Sequence, residues 1–83
     1  MTTPVNVAAA QRASMLRMGK SWQELGKINQ AVDAYLRLVR EHSGSSESEE
    51  AKLFVLQLVE GYQTEGRYHL AIDLLDRLAE AAA

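Results

Sequence analysis

The sequence repeats itself at an offset of 40 residues, and this internal repeat limits the possible folds more than any other feature. Apolar positions fall on apolar positions, glycine on glycine, and charged residues on charges of the same sign. Two unrelated amphipathic helices would share an apolar stripe, but not glycines and charges in register. The pattern therefore predicts two copies of one structural unit. The matched pairs are Met18 with Leu58, Trp22 with Tyr62, Gln23 with Gln63, Gly26 with Gly66, Lys27 with Arg67, Ala31 with Ala71, Val32 with Ile72, Asp33 with Asp73, Tyr35 with Leu75, Arg37 with Arg77, and Leu38 with Leu78.

Each unit has the pattern of a helical hairpin. Apolar residues recur at helical spacing on both sides of a glycine, which takes the left-handed backbone that ends a helix. Gly26 and Gly66 are therefore predicted to separate two helices in each unit, and Thr3 and Pro4 to begin the first helix as N-cap and first residue. The predicted fold is all-α, with two antiparallel helix-turn-helix hairpins. The four stripes are Met15, Met18, Trp22 and Leu25; Ala31, Tyr35, Leu38 and Val39; Val55, Leu58, Val59 and Tyr62; and Ala71, Leu74, Leu75 and Leu78.

A polar segment, residues 43–50, separates the two units. It has no apolar residue, so it is predicted to be a solvated connection. Its second half has two interpretations. Ser46 and Glu49 have the spacing of a capping box at a helix N-terminus. Alternatively, Ser46 or Ser48, lying among glutamates, is a phosphorylation site.

The large, small and aromatic positions resemble the tetratricopeptide repeat, a helix-turn-helix unit of 34 residues. The resemblance implies that the two hairpins stack as a short right-handed solenoid. It divides the chain into an N-terminal lead (1–11), a first repeat (12–43), a connection (44–50) and a second repeat (51–83). The matching residues are Met15, Met18, Gly19, Trp22, Ala31 and Tyr35 in the first repeat and Val55, Leu58, Val59, Tyr62, Ala71 and Leu75 in the second.

The chain departs from the family pattern in three places. Val59 replaces the usual small residue, which predicts slightly wider spacing between the helices of the second repeat. Ser43 and Ala83 lie near the positions of the closing prolines, which are absent. The offset of 40 places about six additional residues in the connection between the repeats.

Composition excludes several classes of protein. Eighty-three residues allow one small domain. A net charge of −2 argues against sequence-independent nucleic-acid binding, and no apolar run has the length of a membrane span. The chain has no cysteine, and no positive charge precedes the apolar stretch near its N-terminus. These features lead us to expect a soluble, cytoplasmic protein.

The sequence predicts no catalytic or metal site. His42 and His69 lie too far apart in sequence to share the helical spacing of two metal ligands. A glycine-rich phosphate loop and a Ser-His-Asp set are also absent from the sequence. We therefore expect a protein that is not an enzyme and uses no cofactor.

The resemblance also implies a concave groove, lined by the first helix of each hairpin, which binds an extended peptide or a partner helix. One subset of the family holds a peptide carboxylate there with lysine and asparagine, but Leu16 and Lys20 occupy those positions here. The groove is instead predicted to be half apolar, with a polar pair formed by Lys20 and Glu60. Alternatively, its leucines only widen the core. The predicted groove residues are Leu16, Lys20, Gln23, Leu53, Leu56, Glu60 and Gln63, with Ala13 beside them.

The end of the chain predicts a second binding surface. Repeat arrays usually contain three or more units and a polar capping helix, whereas the last helical pattern here runs on to the final alanines. Residues 1–42 carry six basic and three acidic side chains, and residues 43–83 carry three basic and eight acidic ones. This asymmetry favours antiparallel or head-to-tail pairing with another copy. The predicted exposed-face residues are Phe54, Leu70, Leu74 and Leu78, with Leu75 as a further candidate.

Together these features predict a non-enzymatic protein–protein interaction module, an adaptor or a small subunit of a larger assembly. It would bind a partner through the groove and the uncapped C-terminal helix. The alternative is a self-associating scaffold, a homodimer or higher oligomer formed through exposed helix faces. Neither hypothesis involves nucleic acid or a membrane span.

Overall fold

The computed structural model describes residues 6–83, which form four α-helices. Helices α1 (Val7–Glu24) and α2 (Ile28–Glu41) make the first hairpin, and α3 (Ser46–Thr64) and α4 (Tyr68–Ala82) make the second. The second hairpin packs mainly against α2. The predicted all-α class and the two helical hairpins are confirmed.

The turns of the two hairpins have the same geometry. Gly26 and Gly66 both adopt a φ of 76°, the left-handed conformation that favours glycine. The amide of Lys27 donates to the carbonyl of Trp22 at 2.8 Å, and that of Arg67 donates to Tyr62 at the same distance. This bond across the glycine, together with the one from the glycine amide, is the Schellman arrangement at a helix C-terminus. The glycine register therefore corresponds to a real structural repeat.

Helix α1 begins at Val7 in the described part of the chain. The N-cap is Asn6, whose Oδ1 accepts a hydrogen bond from the amide of Ala9 at 3.1 Å. Asparagine is as effective in this role as serine or aspartate. Thr3 and Pro4, the predicted start, lie outside the described residues.

The polar segment is mostly helix rather than a connection. Helix α3 begins at Ser46, and its N-cap is Ser45, whose Oγ accepts a hydrogen bond from the amide of Ser48 at 3.1 Å. The predicted capping box of Ser46 and Glu49 is therefore wrong by one residue. Glu47 and Glu49 stabilise the first turn, because carboxylates favour the positive end of the helix dipole.

The two serines considered as phosphorylation sites differ in accessibility. The Ser46 side chain is exposed, whereas Ser48 is completely buried and its hydroxyl has no hydrogen-bond partner among residues 6–83. A kinase would reach Ser48 only if the N-terminal part of α3 opened.

The core lies between the hairpins and is centred on α2. Gly19 of α1 faces the ring of Tyr35 so closely that an ideal Cβ would lie 2.8 Å from Tyr35 Cδ1. Gly19 therefore marks a close approach of α1 to Tyr35 of α2. Three stripe residues are exposed rather than core: Met18 at 52%, Leu25 at 69% and Leu75 at 38%. The buried apolar residues are Leu16, Ala31, Val32, Tyr35, Leu36, Leu38, Val39, Ala51, Val55, Val59, Ala71, Leu74 and Ala81.

An ion pair joins α1 to the beginning of α3. Arg12 Nε donates to Glu47 Oε1 at 2.8 Å. This hydrogen bond, with a weaker contribution from the Ser46 hydroxyl, lowers the pKa of Glu47. The pair therefore stabilises the fold when pH is above the unfolded-state pKa of Glu47, and this contribution is lost as pH falls through the lower folded-state pKa.

Replacing Arg12 by glutamine is expected to raise the pKa of Glu47 towards its ordinary value, because the charged donor is removed. A carboxyl ¹³C titration by NMR measures this change. Lys52→Gln is the control, since Lys52 pairs with Glu49 at 3.3 Å and should leave the Glu47 pKa unchanged. A Glu47 pKa that is the same in the Arg12 variant and the unmodified chain would contradict the assignment.

Candidate protein-binding groove

Helices α1 and α3 lie side by side, and an open depression of about 380 Å³ is lined by Lys20, Gln23, Glu24 and Phe54. The ammonium group of Lys20 lies over the Phe54 ring, 5.3 Å from its centroid, in a cation–π arrangement. It also pairs with Glu50 Oε1 at 3.2 Å. The depression therefore combines an aromatic surface with charged groups of both signs.

The floor of this depression is fixed from below by α2. The rings of Tyr35 and Phe54 are stacked, with their centroids 5.2 Å apart and an interplanar angle of 14°. Tyr35 is fully buried, and its hydroxyl donates to Gln23 Oε1 at 2.8 Å. Because the Gln23 oxygen accepts this bond, its amide nitrogen is the group left to donate hydrogen bonds to a bound chain.

The ionisation of Tyr35 supports this arrangement. Burial raises the pKa of Tyr35, and the carboxylates of Glu24 and Glu50 raise it further. The hydroxyl therefore remains a hydrogen-bond donor throughout the neutral pH range. The orientation of the Gln23 amide is accordingly insensitive to physiological changes in pH.

The predicted polar pair between Lys20 and Glu60 is wrong, because the partner of Lys20 is Glu50. Glu60 lies ten residues further along α3, which places its backbone about 15 Å away along the helix axis. The sequence pattern missed Glu50 because it assigned that residue to a connection. Once α3 is known to begin at Ser46, Glu50 and Phe54 have the (i, i+4) spacing of neighbours on one helix face.

The structure divides the predicted groove leucines into two kinds. Leu16 is 7% exposed and belongs to the core, so it supports the groove from beneath. Leu53 and Leu56 are 60% and 43% exposed on α3, and neither lines the depression. Widening of the core therefore accounts for Leu16 but not for the two leucines on α3. The polar candidates Glu60 and Gln63 are exposed as well.

The predicted exposed face is only partly correct. Leu74 is 4% exposed and belongs to the core, which corrects its assignment to that face. Phe54 is half-buried and lines the groove, while Leu78 is half-buried against the core. Leu70 is 45% exposed.

A different stripe of α4 is exposed. Tyr68, Ile72 and Leu75 have exposed fractions of 62%, 58% and 38%. With the exposed Ala79 they follow a four-three-four spacing, which places them along one side of the helix. We call these four residues the α4 outer face.

No three His, Cys, Asp or Glu side chains in residues 6–83 come together as metal ligands would. None of the helices in this part of the chain combines the length and apolar character needed to cross a membrane.

Comparison with known proteins connects the first hairpin to a family. Residues 13–45, which cover most of α1, all of α2 and the turn that follows, match the family model described as the tetratricopeptide repeat. No curated protein and no solved structure matches the chain. Tetratricopeptide repeats are generally non-catalytic modules of protein–protein interaction. The first hairpin is therefore similar to a tetratricopeptide repeat, and the second hairpin repeats its helix-turn-helix form.

Proposed function

We propose that this chain binds a short segment of a partner protein in the groove between α1 and α3. The observation that carries the proposal is the half-buried Phe54 ring, which is held in place by Tyr35 and lies beside Lys20 in an open depression. Binding pockets for proteins and ligands commonly combine an apolar or aromatic surface with a few fixed polar groups. The groove has both.

The lining of the groove indicates what kind of segment it would accept. Phe54 supplies the apolar surface of the depression, so an aliphatic or aromatic side chain of the partner would pack against it. Leu53 and Leu56 expose further apolar area on α3 outside the depression, which a longer segment would cover. The amide nitrogen of Gln23 would donate to a backbone carbonyl. Lys20 would disfavour a segment that places a positive charge beside it, and Glu24 would disfavour one that places a negative charge beside it.

The α4 outer face supports a second binding surface. Exposed apolar side chains aligned along one helix face are typical of interaction sites. A chain with a groove and an apolar outer face would act as an adaptor or as a small subunit of an assembly. Self-association is the second candidate function. It is favoured because the corresponding face of α2, one repeat earlier, is covered, whereas this face of α4 is exposed.

Selection of peptides from a random display library tests the groove. The chain is expected to enrich peptides that contain an apolar anchor residue. Their affinity should fall at least about tenfold for the double variant Leu53→Ser, Leu56→Ser, because exposed apolar contacts are lost without disturbing the core. Circular dichroism checks that the helices are retained.

Ile72→Ser is the matched control, since it removes an equally exposed aliphatic side chain from the α4 outer face. Selected peptides should bind this variant as they bind the unmodified chain. If the α3 double variant bound them with full affinity, or if Ile72→Ser alone abolished binding, the groove would not be the site.

A further inference from the structure

The α4 outer face is the repeat counterpart of a surface that is buried inside the molecule. On α2 three of the same four positions meet the second hairpin, Ile28 and Val32 at the junction and Tyr35 on Phe54, and the fourth, Val39, is buried. Val32 is 3% exposed, whereas its counterpart Ile72 is 58% exposed. The two helices thus present equivalent stripes, one covered and one open. The matched pairs are Ile28 with Tyr68, Val32 with Ile72, Tyr35 with Leu75, and Val39 with Ala79.

The surface that receives α2 is also repeated. Where Ile28, Asn29 and Val32 of α2 meet the second hairpin, only about 50 Å³ of space remains. At the counterpart position on the first hairpin there is an open depression of about 260 Å³. The second-hairpin residues at the filled junction include Tyr62, Leu70, Asp73, Leu74 and Arg77, and their counterparts Trp22, Gln30, Asp33, Ala34 and Arg37 line the open depression together with Met18.

Charges at the internal junction have counterparts as well. Arg77 of α4 donates to Asp33 of α2 at 3.1 Å, which joins the two hairpins. The counterparts of this pair are Arg37, which lines the open depression, and Asp73, which is exposed at the edge of the internal junction. Arg37 is held by Glu41 within α2, at 2.6 Å and at an exposed position. Exchanging an exposed pair of this kind for another costs little.

We infer that the α4 outer face of one copy docks on the outer face of the first hairpin of a second copy, in the register that joins the hairpins within one chain. Tyr68 and Ile72 then enter the open depression beside Met18 and Trp22, and Asp73 pairs with Arg37 of the second copy. The inference rests on the part of the proposed function that assigns protein binding to α4, and is independent of the groove.

This contact is head-to-tail, because the two surfaces are different. When two copies bind, one α4 outer face and one receiving depression remain free. Further copies can therefore add and form a chain, unless the rotation between neighbouring copies closes a ring. The basic excess of residues 1–42 and the acidic excess of residues 43–83 favour this polarity over contacts between like ends.

Two variants that block opposite surfaces test the inference by sedimentation velocity at rising protein concentration. Ile72→Glu places a charge on the α4 outer face, and Met18→Glu places one in the receiving depression. Both positions are more than half exposed, so the fold should be retained. The unmodified chain should self-associate, whereas each variant alone should remain monomeric, with association weakened at least about tenfold. A mixture of the two should form a one-to-one dimer, because each variant keeps the surface that the other lacks.

The other possible outcomes of this experiment also test the head-to-tail contact. A mixture that remains monomeric, a Met18→Glu variant that dimerises by itself, or an unmodified chain that never associates would overturn the head-to-tail contact. In the last case the α4 outer face is covered by a different protein or by another segment. Lys20→Glu reverses a charge in the groove and should associate like the unmodified chain, while losing the peptides selected for the groove. Loss of peptide binding and loss of self-association are therefore measured separately, so the groove and the head-to-tail contact are tested independently.

Discussion

Replacing Gly19 by alanine is expected to lower the free energy of unfolding by about 1–3 kcal/mol, the usual cost of adding volume to a packed core. The new Cβ would lie 2.8 Å from Tyr35 Cδ1. The Tyr35 ring cannot easily move aside, because it is stacked on Phe54 and its hydroxyl is bonded to Gln23. Urea denaturation followed by circular dichroism measures the change.

Gly61→Ala is the matched control for this prediction. Gly61 also lies in a helix, but an added Cβ would meet nothing within 4 Å. The substitution should raise the free energy of unfolding by about 0.5–1 kcal/mol, because alanine is the better helix former. If both variants changed stability in the same direction, the close packing of Tyr35 on Gly19 would be wrong.

Leu74→Ala is expected to lower the free energy of unfolding by about 2–5 kcal/mol, whereas Ile72→Ala should change it by no more than about 0.5 kcal/mol. Leu74 is 4% exposed and lines the junction with α2, while Ile72 is 58% exposed on the other side of α4. Denaturation at low protein concentration measures both values without a contribution from self-association.

This comparison separates the core from the candidate interface on one helix. If Leu74→Ala were tolerated and Ile72→Ala were destabilising, α4 would be rotated from the orientation described. The alternating burial of Leu74 and exposure of Ile72 also explains why only the latter is suitable for testing association. A charge at Leu74 would unfold the second hairpin before it reported on any partner.

The sequence was sufficient to predict the two hairpins because their turns depend on local chemistry. Gly26 and Gly66 both need a positive φ, and each is followed by an amide that bonds back across the turn. Such requirements are local, so they are visible without any knowledge of tertiary contacts. The match of glycines at an offset of 40 residues then establishes that the same turn occurs twice.

The orientation of each helix was harder to predict. On α4 the apolar stripe is wide enough that periodicity alone cannot say which part faces inward. The buried part includes Ala71 and Leu74, while Leu75 and Ile72 are exposed. Residues that match in the repeat also differ in burial, because Tyr35 has a second hairpin stacked on it and Leu75 does not.

The groove was predicted from a family resemblance, but its polar contacts could not be predicted from the sequence. Lys20 pairs with Glu50 rather than Glu60 because α3 begins at Ser46, where Ser45 caps it. A serine-rich segment has the same composition whether it caps a helix or forms a connection. Phe54 was similarly assigned to the wrong face, since one residue of difference rotates a side chain by about 100° around a helix.

We propose that this chain binds a partner segment between α1 and α3. A titration of the ¹⁵N-labelled chain with a peptide selected from the display library, followed by amide chemical shifts, tests it most directly. The largest shifts are expected for the amides around Lys20 and Gln23 of α1 and around Leu53 and Leu56 of α3, together with the side-chain amide of Gln23. Shifts confined to α2 and α4, or a spectrum that does not change, would contradict the claim.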